Sequence, residues 1–74
     1  MISAYYLDKL DSILEKIYPE FVWCRVSAKD HIDKNNKIYY NVFYRLLSPS
    51  GRWNAIITWR YGEEPTLHFP RGGR

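Results

Sequence analysis

Cysteine is nearly absent from this chain of 74 residues, which contains only Cys24. An internal disulfide needs two cysteines, and a zinc site with several thiolates needs at least as many, so neither can staple the fold. A lone cysteine also suits a reducing compartment. We therefore expect a cytoplasmic protein whose fold depends on its hydrophobic core.

Sequence features that mark membrane proteins and several enzyme classes are missing as well. No apolar run approaches the ~18 residues of a membrane-spanning helix, and the first residues lack the basic and apolar regions of a secretory signal. The chain has 4 glycines, and they form no phosphate-binding loop. We expect no membrane partner and no cofactor.

The length predicts one small domain. We place it at residues 1–70 and treat residues 71–74 as a flexible basic tail. A chain this short buries only about 60% of the surface that its unfolded form exposes, so the core is thin. Aromatic residues make up 18% of the chain, and they compensate because each buried ring removes roughly 150–250 Å² from water.

An amphipathic helix is predicted at about residues 4–18. Ser3 can cap its start by accepting a hydrogen bond from a free backbone amide, and Pro19 disfavours helical geometry at Tyr18. At 100° per residue, apolar side chains gather on one stripe while charged ones take the opposite arc. The residues of the apolar stripe are Tyr6, Leu10, Ile13 and Ile17.

The rest of the chain alternates between apolar and polar residues, as antiparallel strands do. In the first strand, strict alternation turns four residues toward the helix, namely Val22, Cys24, Val26 and Ala28. The same alternation turns the residues between them the other way, namely Trp23, Arg25, Ser27 and Lys29.

A hairpin is predicted around the turn Ser48–Gly51, because proline and glycine there suit a tight reversal. A four-residue loop pairs Leu47 with Arg52, and slipping this register by one residue would mix the two faces. The helix-side pairs become Leu46 with Trp53, Tyr44 with Ala55, Val42 with Ile57 and Tyr40 with Trp59. A further turn at residues 62–64 then leads to a short edge strand, with Leu67 and Phe69 on the helix side and Thr66 and His68 on the other.

The predicted fold is α+β, in the order α-β-β-β-β, with one N-terminal helix packed on one face of a four-stranded antiparallel meander. The opposite face stays uncovered and contains no carboxylate. We expect this face to be positively charged, because the basic residues of the chain outnumber the acidic ones by seven to two in residues 34–74. The predicted binding residues on it are Trp23, Arg25, Lys29, Tyr39, Phe43, Arg45, Arg52, Arg60 and His68.

Such a face suits single-stranded RNA or DNA, because phosphates attract Lys and Arg while unpaired bases stack on flat rings. Trp23, Tyr39 and Phe43 are the predicted stacking residues. The alternative is a protein-interaction module, such as an inhibitor or antitoxin-like subunit, which docks on an acidic protein surface. A third interpretation is solvated packing without a binding role, with Tyr39 beside Arg60 and Trp23 beside Arg45.

An enzyme is the weaker interpretation. The two histidines, His31 and His68, could serve a metal-independent ribonuclease, but we expect His31 in or beside a hairpin loop and His68 far along the sheet. A zinc site formed by these histidines and Cys24 lacks paired ligand spacing, and Cys24 is predicted to face the core. We therefore expect a non-enzymatic binding module.

Overall fold

One helix precedes four strands in the computed structural model, which describes residues 4–70. The elements are α1 (Ala4–Ile17), β1 (Val22–Ile32), β2 (Ile38–Ser48), β3 (Gly51–Trp59) and β4 (Thr66–His68). All neighbouring strands are antiparallel, and their order in the sheet is β1-β2-β3-β4. The predicted α+β architecture is confirmed. The predicted cap Ser3 and the tail at 71–74 lie outside the described residues.

The helix packs on one face of the sheet through the apolar stripe predicted for it. Leu10 of this stripe and Leu14, which flanks it, are fully buried, whereas Ile17 at the end of the stripe is 38% exposed. The backbone N–H of Tyr18 donates to the carbonyl of Leu14 at 2.8 Å, and Pro19 follows directly. The helix therefore ends where proline removes the next possible backbone donor.

The core lies between α1 and the helix-side face of the sheet. Every strand except the short β4 contributes fully buried or nearly buried side chains, and aromatic rings provide much of the volume. The buried residues are Leu10, Leu14, Trp23, Val42, Tyr44, Leu46, Ala55, Ile57 and Trp59.

The predicted register of the β2–β3 hairpin is confirmed. Leu47 lies opposite Arg52, and the remaining pairs follow as expected down to Tyr40 opposite Trp59. Gly51 adopts a positive φ of 139°, a conformation that L side chains rarely take. Trp53 was predicted in the core, and that expectation is wrong: it lies opposite Leu46 but remains 45% exposed.

The short strand β4 also pairs as predicted. Leu67 lies opposite Ile57 on the helix side, whereas Thr66 and His68 lie on the other face. Phe69 was expected to join the core, but it follows the end of β4 and is 51% exposed.

A β-bulge in β1 changes the predicted orientation of the first half of this strand. Arg25 lies opposite Tyr44 and Ser27 lies opposite Phe43, so Val26 is an extra residue between two consecutive partners. Because of this residue, Trp23 and Arg25 face the helix before the bulge, and Ala28 faces it after the bulge. Strict alternation cannot place Trp23 and Ala28 on the same face, and the predicted inward orientation of Val22, Cys24 and Val26 is wrong. These three residues are exposed instead.

Candidate binding surface

The face of the sheet that α1 leaves uncovered, called the outer face below, is built from rows of side chains that run across the strands. Neighbouring rows are about 7 Å apart, since they are separated by two residues along each strand. Starting near the β2–β3 turn, the first row contains Val22, Leu47 and Arg52, and the second contains Cys24, Arg45 and Asn54. The third row contains Ser27, Phe43, Ile56 and His68 beside the bulged Val26. The fourth contains Lys29, Asn41, Thr58 and Thr66, and the fifth contains His31, Tyr39 and Arg60.

Seven of the predicted binding residues lie on the outer face. They fall in every one of the five rows, so the predicted surface exists as a continuous area of the sheet. These residues are Lys29, Tyr39, Phe43, Arg45, Arg52, Arg60 and His68.

Trp23 was predicted on the outer face, and the structure places it in the core instead. Its side chain is 9% exposed, and its ring meets the Tyr44 ring edge-on at a centroid distance of 5.2 Å. Its partner across the strands is Leu46 rather than Arg45. The bulge at Val26 is the cause, since it turns the preceding residues over. Trp23 therefore offers no surface for stacking a base.

Arg25 was also predicted on the outer face, and for the same reason it lies on the helix side of the sheet, beside α1. Its guanidinium is 3.3 Å from a carboxylate oxygen of Asp11 and 3.6 Å from one of Asp8. The phenol of Tyr44 donates a hydrogen bond to the same Asp11 carboxylate. Burial and this bond raise the pKa of Tyr44 well above its usual value. Arg25 thus fastens α1 to the sheet, and its charge is neutralised.

The fifth row is a stack of three flat groups. The ring of Tyr39 lies 5.2 Å from that of His31, with 18° between the planes, and the guanidinium carbon of Arg60 lies 5.5 Å from the Tyr39 centroid. Strands β1 and β3 flank β2 on opposite sides, so the two neighbours approach the tyrosine ring from opposite sides. A base that stacks on Tyr39 would therefore compete with His31 or Arg60 for a face of the ring. The stacking role of Tyr39 stays a prediction, and His31 is a further member of this surface that the sequence prediction did not include.

Arg60 is held by an acid that was not expected near the outer face. Its guanidinium donates to the carboxylate of Asp33 at 2.5 Å. The same carboxylate accepts the backbone N–H groups of Lys37, at 3.0 Å, and Asn35, at 2.8 Å. The Lys37 amide first, and then Arg60, hold the pKa of Asp33 below its usual value of 3.8. Arg60, which directly follows β3, is therefore a cation paired with an acid of the β1–β2 turn.

Three cations of the outer face have no acidic partner among the residues that the structure describes. Lys29, Arg45 and Arg52 form no ion pair with any of residues 4–70. Each belongs to a different row, and rows one to four contain no aspartate or glutamate. This part of the outer face is consequently an unneutralised positive field.

Exposed apolar side chains lie among these cations. Val22 is 60% exposed, Val26 is 59% exposed and Phe43 is 48% exposed. A pocket of about 330 Å³ opens beside Phe43, and the surface that lines it is mostly apolar. We call it the anchor pocket, and its side chains on the outer face are Val26, Phe43, Arg45, Asn54 and Pro70. Sequence reasoning missed it because only the bulge brings Val26 there.

A second pocket, of about 520 Å³, lies beside the fifth row and differs in charge. It is polar, and its wall includes the carboxylate-bearing residues Glu63 and Glu64 together with Tyr39 and Arg60. Thr58 donates a hydrogen bond to the side-chain oxygen of Asn41 at 3.0 Å within the same region. Because acids and bases are mixed here, this end of the face offers no net attraction for an anion.

The two histidines do not form a catalytic pair. His31 lies on β1 and His68 on β4, which are the opposite edges of the sheet. Three strand spacings of about 4.8 Å separate those edges. Within residues 4–70 no group of three or more His, Cys, Asp or Glu side chains could hold a metal ion, and no helix there is long and apolar enough to cross a membrane.

Comparison with known proteins identifies no relative. No family model, no curated protein and no solved structure matches the chain. The functional interpretation therefore rests on the outer face itself.

Proposed function

We propose that this protein is a non-enzymatic binding module and that its outer face docks on an acidic surface of a partner protein. The observation that carries the proposal is the exposure of apolar side chains directly beside unpaired cations. Phe43 is 48% exposed between rows that contain Arg45 and Lys29, neither of which has an acidic partner within residues 4–70. Arginine beside an aromatic anchor is typical of binding hot spots.

The chemistry of the exposed side chains favours a protein over a nucleic acid. Trp23 lies in the core and Tyr39 is contacted by His31 and Arg60, whereas the Phe43 ring is 48% exposed on the outer face. Val22 and Val26 are exposed as well, and aliphatic groups do not stack on bases as rings do. Aliphatic contacts surrounded by charges do match the apolar centre and polar rim of a protein interface. An inhibitor or antitoxin-like subunit works through such a surface.

Single-stranded RNA or DNA is the second candidate. It is favoured by Lys29, Arg45 and Arg52, which form no ion pair within residues 4–70 and lie in separate rows of one face with the Phe43 ring among them. Three phosphate contacts predict that the logarithm of the affinity falls with the logarithm of the salt concentration with a slope near −2. An acidic protein partner predicts oligonucleotide affinity at background.

The two candidates can be separated with three probes and the full chain. A random copolymer of glutamate and tyrosine represents an acidic surface with apolar side chains, poly-glutamate represents charge alone, and a mixed single-stranded DNA pool represents nucleic acid. We expect the copolymer to bind about tenfold more tightly than poly-glutamate, because burying a ring contributes about 1.5 kcal/mol or more. Amide shifts in NMR spectra should map its site to the first three rows.

The matched variant is the double substitution Arg45→Glu and Arg52→Glu, both at exposed positions. It should abolish binding of the copolymer while circular dichroism shows an unchanged fold. Binding of the DNA pool with the predicted salt slope would favour the second candidate. Copolymer binding that survives the charge reversal would contradict the proposal. The exposed free thiol of Cys24 supports the cytoplasm as the compartment that we propose.

A further inference from the structure

The anchor pocket has the size of a subsite for one side chain. Its volume of about 330 Å³ lies at the lower end of the range of about 300 to 1,000 Å³ that small-molecule sites span. The pocket is open toward solvent on the outer face, between β1 and β3. A drug-sized ligand would leave much of its surface uncovered in this open pocket, whereas the pocket can accommodate one large apolar side chain such as phenylalanine or tryptophan.

The polar groups at the pocket specify what accompanies that side chain. Asn54 and the unpaired Arg45 are the polar side chains of its lining on the outer face. Arg45 lies one row from Phe43, and Arg52 lies in the next row beyond it. The rows of Arg45 and Arg52 therefore follow the pocket in steps of about 7 Å, which is two residues of an extended chain, and Arg52 lies on β3, about 4.8 Å to the side of β2.

An extended peptide repeats its side chains on one face with the same period of two residues. A chain that crosses the rows from the anchor pocket toward the β2–β3 turn therefore presents its next same-face side chain to Arg45. The one after that meets Arg52. Because both guanidiniums lack an acid within residues 4–70, charge complementarity requires carboxylates at these two positions.

We infer that the anchor pocket receives one apolar side chain from an extended acidic segment of a partner protein, and that carboxylates two and four residues from it pair with Arg45 and Arg52. The recognised pattern is an apolar residue with acidic residues two and four positions away on one side. These acids follow the apolar residue in one direction of the bound peptide and precede it in the other. This inference rests on the proposed function, since it specifies how the acidic partner is recognised.

A displayed library of random twelve-residue peptides, selected on the full chain, tests the pattern. The expected result is enrichment of peptides with this apolar-acid-acid spacing. The affinity of a synthetic peptide from the selection should fall at least tenfold on Phe43→Ala and on Arg45→Glu, measured by fluorescence anisotropy. Lys34→Ala, at an exposed turn position away from the pocket, should change it less than twofold.

Thermal unfolding of each variant separates a lost contact from a lost fold, and Val26→Ser serves in place of Phe43→Ala if that variant is unstable. A selection that returns no acidic peptides, or peptides with other spacings, overturns the inference. The inference is also overturned if the peptides bind the Arg45→Glu and Arg52→Glu variants more weakly but bind the two pocket variants, Phe43→Ala and Val26→Ser, as tightly as the original chain. That last result leaves the proposed function standing, because charge then acts without an anchor. Peptides that bind Arg45→Glu and Arg52→Glu normally contradict both.

Discussion

The indole N–H of Trp23 donates to the backbone carbonyl of Tyr18 at 3.3 Å. This bond joins the second residue of β1 to the residue that follows α1, across the short connection that contains Pro19. The rings of Tyr18 and Phe21 lie 5.9 Å and 6.0 Å from the indole and surround it. The entry of the chain into the sheet is thus organised around one buried tryptophan, and the bulge at Val26 allows it to face the helix.

Trp23→Ala should lower the free energy of unfolding by about 3 to 5 kcal/mol, because it deletes a buried aromatic side chain and leaves a cavity. The matched control is Trp53→Ala, since Trp53 belongs to the same cross-strand row on the helix side but is 45% exposed. Trp53→Ala should lower the free energy of unfolding by less than about half of the decrease caused by Trp23→Ala. Urea unfolding followed by circular dichroism measures both, and equal losses would contradict the placement of Trp23.

Tyr44→Phe removes the hydrogen bond to Asp11 without changing the packing of the ring. Asp11 keeps its ion pair with Arg25 at 3.3 Å, so its charge stays compensated. We expect a loss of about 1 kcal/mol in unfolding free energy. Tyr40→Phe is the control, because its ring also faces the helix side and its hydroxyl forms no hydrogen bond with any of residues 4–70. The prediction is wrong if both variants unfold at the same urea concentration as the original chain.

Much of the fold could be predicted because two local signals were strong. The apolar side of the helix, which includes Leu14, is followed by Pro19, and proline ends the helix there. The Ser48–Gly51 turn predicts a register in which every helix-side pair of β2 and β3 is apolar. Burial of one sheet face penalises any slip by one residue, so the β2–β3 pairing followed from the sequence. The structure bears out both elements.

The candidate site was less predictable because one inserted residue reverses a strand. Alternation in β1 was assumed to be continuous, and the bulge at Val26 sent Trp23 and Arg25 to the helix side. The sequence does show that continuous alternation cannot bury both the indole of Trp23 and Ala28. Which residue forms the bulge, however, depends on tertiary contacts with α1. The ion pair between Asp33 and Arg60 likewise depends on how the turn approaches β3.

Asp33→Asn should remove a pH-dependent contribution to stability. The pKa of Asp33 is lowered in the folded chain, so its contribution is fully present above the unfolded value near 3.8 and is lost as pH falls through the lower folded value. The variant should therefore be less stable than the original chain at pH 7, and the difference should shrink below about pH 4. Thermal unfolding between pH 2.5 and pH 7 measures this difference.

The asparagine keeps an oxygen that accepts the amides of Asn35 and Lys37, so the turn geometry is preserved while the charge is removed. Arg60→Gln is the complementary variant, because it removes the guanidinium and leaves the amide contacts in place. It should reproduce part of the loss at pH 7. A stability difference that stays constant over the whole pH range would show that Asp33 acts through shape alone.

Cys24 should react with N-ethylmaleimide in the native protein without prior unfolding, because its side chain is exposed on the outer face opposite Arg45. Mass spectrometry over time, with and without urea, measures the rate, and Cys24→Ser provides the unreactive control. The glutamate–tyrosine copolymer should slow the reaction if it covers the second row. A thiol that reacts only in urea would contradict the bulge, since continuous alternation turns Cys24 toward the helix and Trp23 toward water.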